Sequence, residues 1–228
     1  MVIKGFSKLT ALDFPKRVAC TVFTGGCNMR CPFCHNASLV ENRADTISAD
    51  EIFDFLKKRK GLLDGVAITG GEPLLQPGIK DFIKEIKDMG YAVKLDTNGS
   101  FPDTLIDIVS SGLCDYVAMD IKNSPELYAK TCGTDNINMK DIIKSKDFLL
   151  MGDVEYEFRT TVVAEYHTVE SIRQAAAFIA GANNYYLQAF KDSGDLLVSG
   201  LSGLEKPVME DMCTAALEYV KNCHIRGV

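Results

Sequence analysis

Six short apolar runs rich in β-branched residues alternate with segments of helical periodicity, an order that limits the chain to layered α/β folds. The pattern predicts strands at about 18–24, 66–69, 92–95, 116–121, 154–163 and 185–190. Helices are predicted at about 49–59, 79–89, 102–110, 139–149, 169–180 and 206–220. The second helix has the sharpest pattern: Ile79, Phe82, Ile83, Ile86 and Met89 share one face, and Gly90 follows where a C-terminal cap belongs. Near-continuous apolar strands separated by helices predict a parallel sheet covered by helices. Right-handed crossovers would curl that sheet into a barrel or part of one.

At 228 residues, 46% of them hydrophobic, the chain can fill one core, and no repeat or low-complexity linker divides it. A single domain over residues 1–228 is therefore expected. The net charge of −6 argues against a partner made of nucleic acid, which would call for a basic face. The basic run at 57–60 ends a predicted helix and reads as a solvated face that complements the helix dipole. Lys4, Lys8 and Asp13 interrupt the apolar start, and no stretch is long enough for a membrane span, so a cytoplasmic protein with no membrane partner is expected.

In that reducing compartment, eight cysteines read as metal ligands plus buried thiols rather than disulfides. Cys20, Cys114, Cys132, Cys213 and Cys223 stand apart from one another and read as small apolar core residues. Cys213 falls on a helix face with Met209, Met212, Ala216 and Leu217, while Cys223 and His224 receive no role. His167, before the fifth helix, is expected to face solvent.

The remaining three cysteines, Cys27, Cys31 and Cys34, fall within eight residues just after the first strand. Three thiolates on one loop can hold an iron–sulfur cluster and leave one iron open, whereas a cluster that only carries electrons usually takes four. Zinc is the alternative, with Cys20 or His35 as a fourth ligand. Lys16, Arg17 and Arg30 are either surface charges or a favourable field for an anionic cluster and its electron donor.

In a parallel barrel, reacting groups come from the C-terminal strand ends, and polar residues gather there in this chain. The second strand runs into Gly70-Gly71-Glu72-Pro73, the third into Asp96-Thr97-Asn98-Gly99 and the fourth into Asp120-Ile121-Lys122. The fifth carries Arg159 and the sixth Gln188. Singly, the glycine runs could be tight turns and Asp120 with Lys122 a surface pair. Their joint placement beside three clustered cysteines favours a site.

Cys27-x3-Cys31-x2-Cys34, with Phe33 before the last cysteine, followed by Gly70-Gly71-Glu72-Pro73, resembles the radical S-adenosylmethionine superfamily. The resemblance implies a partial (β/α)6 barrel, a 4Fe-4S cluster on the three cysteines, and S-adenosylmethionine chelated to the fourth iron. It implies that Gly70, Gly71 and Glu72 receive the methionyl ammonium and that Lys122 meets the carboxylate or nearby hydroxyls. Asp96 and Asp120 would contact a cation or the ribose, Arg159 the ribose or carboxylate, and Phe33, His35 and Asn36 the adenosyl end. Reduction would cleave the sulfonium to methionine and a 5′-deoxyadenosyl radical that removes a substrate hydrogen.

Cys34-His35-Asn36, Asp96-Thr97-Asn98-Gly99 and Asp120-x-Lys122 further resemble activases of glycyl radical enzymes. The partners implied are a glycyl radical enzyme and a flavodoxin or ferredoxin-type electron donor. Leu12-Asp13-Phe14-Pro15 and Gln188-Ala189-Phe190 depart from the pyruvate formate-lyase type and look more like activators of anaerobic ribonucleotide reductase. No multi-cysteine insert follows Cys34, which disfavours activases with extra clusters. The rivals are a radical enzyme acting on a small molecule or another peptide, including a pyruvate formate-lyase-type activase, and a non-catalytic metal-binding protein.

Overall fold

Strand order follows chain order across the whole sheet of the computed structural model, which describes residues 1–41 and 43–228. β1 (Ile3–Thr10) lies antiparallel to β2 (Ala19–Thr24). Every later pairing is parallel, through β3 (Gly65–Gly70), β4 (Ala92–Thr97), β5 (Tyr116–Asp120), β6 (Glu155–Val162), β7 (Tyr185–Ala189) and β8 (Cys223–Arg226). Among the described residues, β1 and β8 are the two edges of one eight-stranded sheet, so the barrel is open.

Helices fill the crossovers. α1 (Ala37–Val40) and α2 (Ala49–Lys58) follow β2, α3 (Ile79–Asp88) follows β3, and α4 (Pro102–Ser110) follows β4. α5 (Tyr128–Cys132) and α6 (Met139–Met151) follow β5, α7 (Val169–Phe178) follows β6, and α8 (Lys206–Ala216) follows β7. Local chemistry sets several of these ends. The Ser48 hydroxyl accepts the Glu51 N–H at the start of α2, with Lys57 and Lys58 in its last turn. Thr168 and Ser171 form a reciprocal capping box on α7. In α3, Ile79, Phe82, Ile83 and Ile86 are buried, as their spacing predicts.

The two-residue period of the strands sorts their side chains into two environments. In β5, Val117 and Met119 join the main core under the helices, while Tyr116 and Ala118 turn the other way onto Phe14, Ala19 and Ala92. Phe14 comes from the β1–β2 connection and plugs the N-terminal end of the open barrel. Above that floor the interior is charged. The Glu157 carboxylate, 1% exposed, takes a two-bonded contact from Arg226 at 2.8 and 2.9 Å and the Tyr116 hydroxyl at 2.9 Å.

All six predicted strands and six predicted helices are present, and the partial-barrel expectation holds. β1 and β8 are additions. β1 is punctuated by Lys4, Gly5 and Lys8, which hide its strand pattern, and β8 is only four residues long. The last helix stops at Ala216 rather than 220, because the chain must turn back to enter β8.

His167 is not solvent-facing, as expected from its loop, but 2% exposed. Its ring takes up the Val163 backbone at 3.1 Å and the Lys122 carbonyl at 2.9 Å, which makes burial tolerable. Cys20, Cys114 and Cys132 are buried as expected; Cys213 on α8 and Cys223 on β8 are half-buried. Among the described residues, no helix is long and apolar enough to cross a membrane.

Candidate active site

The cysteine loop is built from backbone first. Gly25 donates its N–H to the Val2 carbonyl at 3.0 Å, and Gly26 donates to Leu39 at 2.9 Å. The Gly26 carbonyl then accepts the Glu72 N–H at 2.9 Å, and Gly71 donates to the Thr24 carbonyl at 2.9 Å. This approach needs glycine: a Cβ on Gly71 would lie 1.9 Å from the Gly26 oxygen. Thus the glycine that leads into the cysteine motif and the Gly-Gly-Glu-Pro motif, far apart in sequence, form one backbone-to-backbone contact.

Donors converge on the sulfurs within this frame. The Met29 N–H lies 3.4 Å from Cys27 Sγ and the Asn98 side-chain amide 3.8 Å from it. Cys34 closes a turn by donating its N–H to the Cys31 carbonyl at 3.0 Å. Arg30, a candidate for a free counter-charge, instead holds the loop by donating to the Cys27 and Met29 carbonyls at 2.7 and 2.8 Å.

Cys27, Cys31 and Cys34 line one wall of a cavity of about 230 Å³ at the C-terminal ends of the strands. Phe33, His35 and Asn36 line it from the same loop. Phe33 packs against Tyr166, the His35 ring lies 5.3 Å from that of Phe190, and the Asn36 amide reaches the Gly70 carbonyl at 3.3 Å. Gly70 and Gly71 form a second side, and Asp96, Asp120, Lys122 and Arg159 face the cysteines from the barrel interior.

Glu72 departs from the expectation for its side chain. It is fully buried and turned inward, accepting from Leu74 N–H at 3.0 Å, the Thr97 hydroxyl at 2.8 Å and Asn98 N–H at 2.7 Å. Its carboxylate ties the β3 loop to the end of β4 and does not line the cavity. The backbone of this motif is therefore what a ligand would meet. Burial raises the Glu72 carboxyl to about 7 despite those three hydrogen bonds.

The facing wall is an ion chain. Lys94, only 2% exposed, contacts Asp96; Asp96 accepts Arg159 at 3.0 Å; Arg159 reaches Asp120 at 2.9 Å; and Asp120 accepts Lys122 at 3.0 Å. Burial alone would raise Asp120, but the Arg159 and Lys122 charges outweigh it and hold it at about 2. Burial opposes the charge on Lys122, yet Asp120 and the Cys31 thiolate keep it well above the ordinary value.

Thr161 and Gln188 also line the cavity. The strand period contained a signal for Thr161, which shares a face with Arg159 two residues earlier. Asn98 reads from sequence as a turn residue; its amide contact with Cys27 depends on tertiary placement. The same is true of Cys132, whose backbone carbonyl accepts the Arg30 N–H at 2.9 Å.

The donor set discriminates between metals. Among the described residues, no three His, Cys, Asp or Glu side chains stand close enough to hold a single ion. Cys20 sits mid-sheet opposite Val66, fully buried, and His35 is turned onto Phe190, so neither completes a zinc site with the loop. Three thiols lining one open cavity fit a multi-iron cluster with room for a ligand.

The profile of the Radical SAM superfamily matches residues 21–179. A Methanocaldococcus jannaschii protein named as a glycyl-radical enzyme activating enzyme is 32% identical over 239 aligned positions, covering 100% of this chain and 96% of the relative. A second protein of that name and organism is 25% identical, over 89% of this chain and 78% of its own length. The fold also matches Streptococcus suis SuiB, solved with S-adenosylmethionine, at a TM-score of 0.71 and 13% identity, covering 90% of this chain and 49% of that one. Cluster loop, glycine contact and full-length likeness converge: this chain belongs to the radical SAM superfamily, enzymes that use a 4Fe-4S cluster and S-adenosylmethionine.

Proposed function

We propose that this enzyme activates a glycyl radical enzyme and that its partner is an anaerobic ribonucleoside-triphosphate reductase. The observation that carries the reading is the contact between Gly26 and the Gly71-Glu72 peptide, which holds three cysteines against a ligand cavity. Full-length likeness to proteins named as glycyl-radical enzyme activating enzymes supports the reaction class. Leu12-Asp13-Phe14-Pro15 and Gln188-Ala189-Phe190 favour the reductase as partner.

In this reading Cys27, Cys31 and Cys34 hold the cluster. Backbone groups of Gly70, Gly71 and Glu72 bind the methionyl ammonium, and Lys122 and Arg159 offer cationic donors to its carboxylate and the ribose. Asp96 and Asp120 orient those cations, while Phe33, His35 and Asn36 border the adenosyl end. The bound cofactors supply one-electron chemistry that removes a hydrogen atom from a glycine Cα of the partner. The cavity walls orient the cofactor and exclude water from that step. A flavodoxin or ferredoxin-type protein supplies the electron.

The test is anaerobic. Reconstituted protein, reductant, S-adenosylmethionine and the reductase of the same organism are combined and frozen for electron paramagnetic resonance. A glycyl radical signal on the reductase is expected, with 5′-deoxyadenosine released in step. Release of 5′-deoxyadenosine without that signal rejects the reductase, and a signal on pyruvate formate-lyase alone reassigns the partner.

A further inference from the structure

Lys94 is buried in β4, on the same strand face as Asp96 and one step deeper in the barrel. Its ammonium meets Asp96 Oδ1, while the Arg159 guanidinium donates to Asp96 Oδ2 at 3.0 Å. Asp120 repeats the pattern, with Oδ1 accepting Arg159 at 2.9 Å and Oδ2 accepting Lys122 at 3.0 Å. Each carboxylate oxygen thus faces a cation, and the row begins and ends on a lysine. Three cations against two anions leave one positive charge unmatched. Neighbouring acids do not cancel it: Glu157 has its own cation in Arg226, at 2.8 and 2.9 Å, and Glu72 is turned onto Leu74, Thr97 and Asn98.

We propose that Lys94 is a positioning residue for the cofactor: by matching the charge of Asp96 from deeper in the barrel, it leaves the cavity wall with a surplus positive charge that takes up the carboxylate of S-adenosylmethionine. Without Lys94, Asp96 and Asp120 would balance Arg159 and Lys122, and the wall would offer an anion no net attraction. With it, Arg159 and Lys122, which line the cavity, carry more charge than the two carboxylates neutralise. Lys94 does not line the cavity, so its effect passes through Asp96. Buried charges are little screened, so a single one is felt along the whole row. Its register neighbours, Ala67 on β3 and Tyr116 on β5, are uncharged, so packing at this level of the barrel does not call for an ammonium.

This inference rests on the cofactor reading of the cavity, and its test reads binding rather than turnover. Reconstituted wild type, K94M and K94Q, with the cluster oxidised, are dialysed anaerobically against S-adenosylmethionine and against its decarboxylated form, which keeps the sulfonium, the amine and the adenosyl group. K94M replaces the side chain at similar volume without charge; K94Q also keeps a hydrogen-bond donor for Asp96. Both are expected to bind S-adenosylmethionine about tenfold more weakly than the wild type does, the scale of one charge acting through an intervening pair. Both are expected to bind the decarboxylated form no more weakly than the wild type. K94Q reports the same selective loss should K94M retain too little iron.

An equal loss of affinity for both ligands would make Lys94 a packing residue and overturn the proposal. So would wild-type affinity for S-adenosylmethionine in both variants, or a loss in K94M that K94Q restores, because a hydrogen bond rather than charge would then be what counts. Failure of the cofactor reading looks different: the wild type would bind neither ligand, and the proposal would fall with it.

Discussion

Arg159 and Asp120 stand opposite each other in the parallel register of β5 and β6, and the guanidinium donates to the carboxylate at 2.9 Å. The same guanidinium donates to Asp96 at 3.0 Å, so one cation separates two half-buried anions from neighbouring strands. R159A leaves both carboxylates facing each other without the shared charge. We expect it to cost about 3–5 kcal/mol, the range for breaking a buried pair from one side. R159K keeps the charge but loses the planar fork and should recover only part of that. Anaerobic urea unfolding measures both, and an unaltered midpoint in R159A would show that the bridge does not stabilise the fold.

The glycine contact makes a sharper local prediction. In G71A the new methyl would meet the Gly26 carbonyl at 1.9 Å, and neither loop can yield without breaking the Glu72 N–H to Gly26 bond. The strain is about 1–3 kcal/mol, concentrated at the cysteine loop. G71A should therefore keep its far-ultraviolet circular dichroism while binding less iron and losing at least tenfold in S-adenosylmethionine cleavage. Full iron content with normal cleavage would mean that the loops need not touch.

His167 lies one residue before the α7 cap, and its ring joins the Val163 backbone to the Lys122 carbonyl. H167A leaves a buried N–H and a buried carbonyl without partners, at a cost of about 1–3 kcal/mol. Because Lys122 lines the cavity, the apparent KM for S-adenosylmethionine should rise in H167A more than kcat falls. Equal KM values for mutant and wild type would confine His167 to a purely structural role.

The interior strands were legible because they are continuous apolar runs, and the helices because their buried faces repeat at helical spacing. β1 and β8 were not, since an edge strand needs only one good face and tolerates Lys4, Lys8 or His224 on the other. The rim was legible from residue type: glycine pairs, Asp96, Asp120, Lys122 and Arg159 all project from strand ends into one cavity. What sequence alone could not supply was direction. Glu72 is chemically suited to bind an ammonium, yet three donors from its own loop and β4 turn it inward. Cys132 resembles the other solitary cysteines until tertiary packing brings α5 against Arg30.

Glu72 supplies the pH prediction. Its folded value of about 7 lies above the ordinary 4.5, because burial penalises the carboxylate more than its three hydrogen bonds favour it. Between those values the folded state binds the proton more tightly than the unfolded state. The associated stability is complete below about pH 4.5 and is lost as pH rises through about 7, amounting to about 3 kcal/mol. E72Q has no proton to release, so its unfolding free energy should lack this slope. Its amide opposes one of the incoming N–H donors, which lowers stability at acid pH, where the wild type is neutral too. The wild-type advantage over E72Q should therefore shrink from pH 4.5 to pH 7 in anaerobic unfolding without S-adenosylmethionine. A difference that stays constant, or grows, would show that Glu72 is already ionised at the acid end and that its hydrogen bonds outweigh burial.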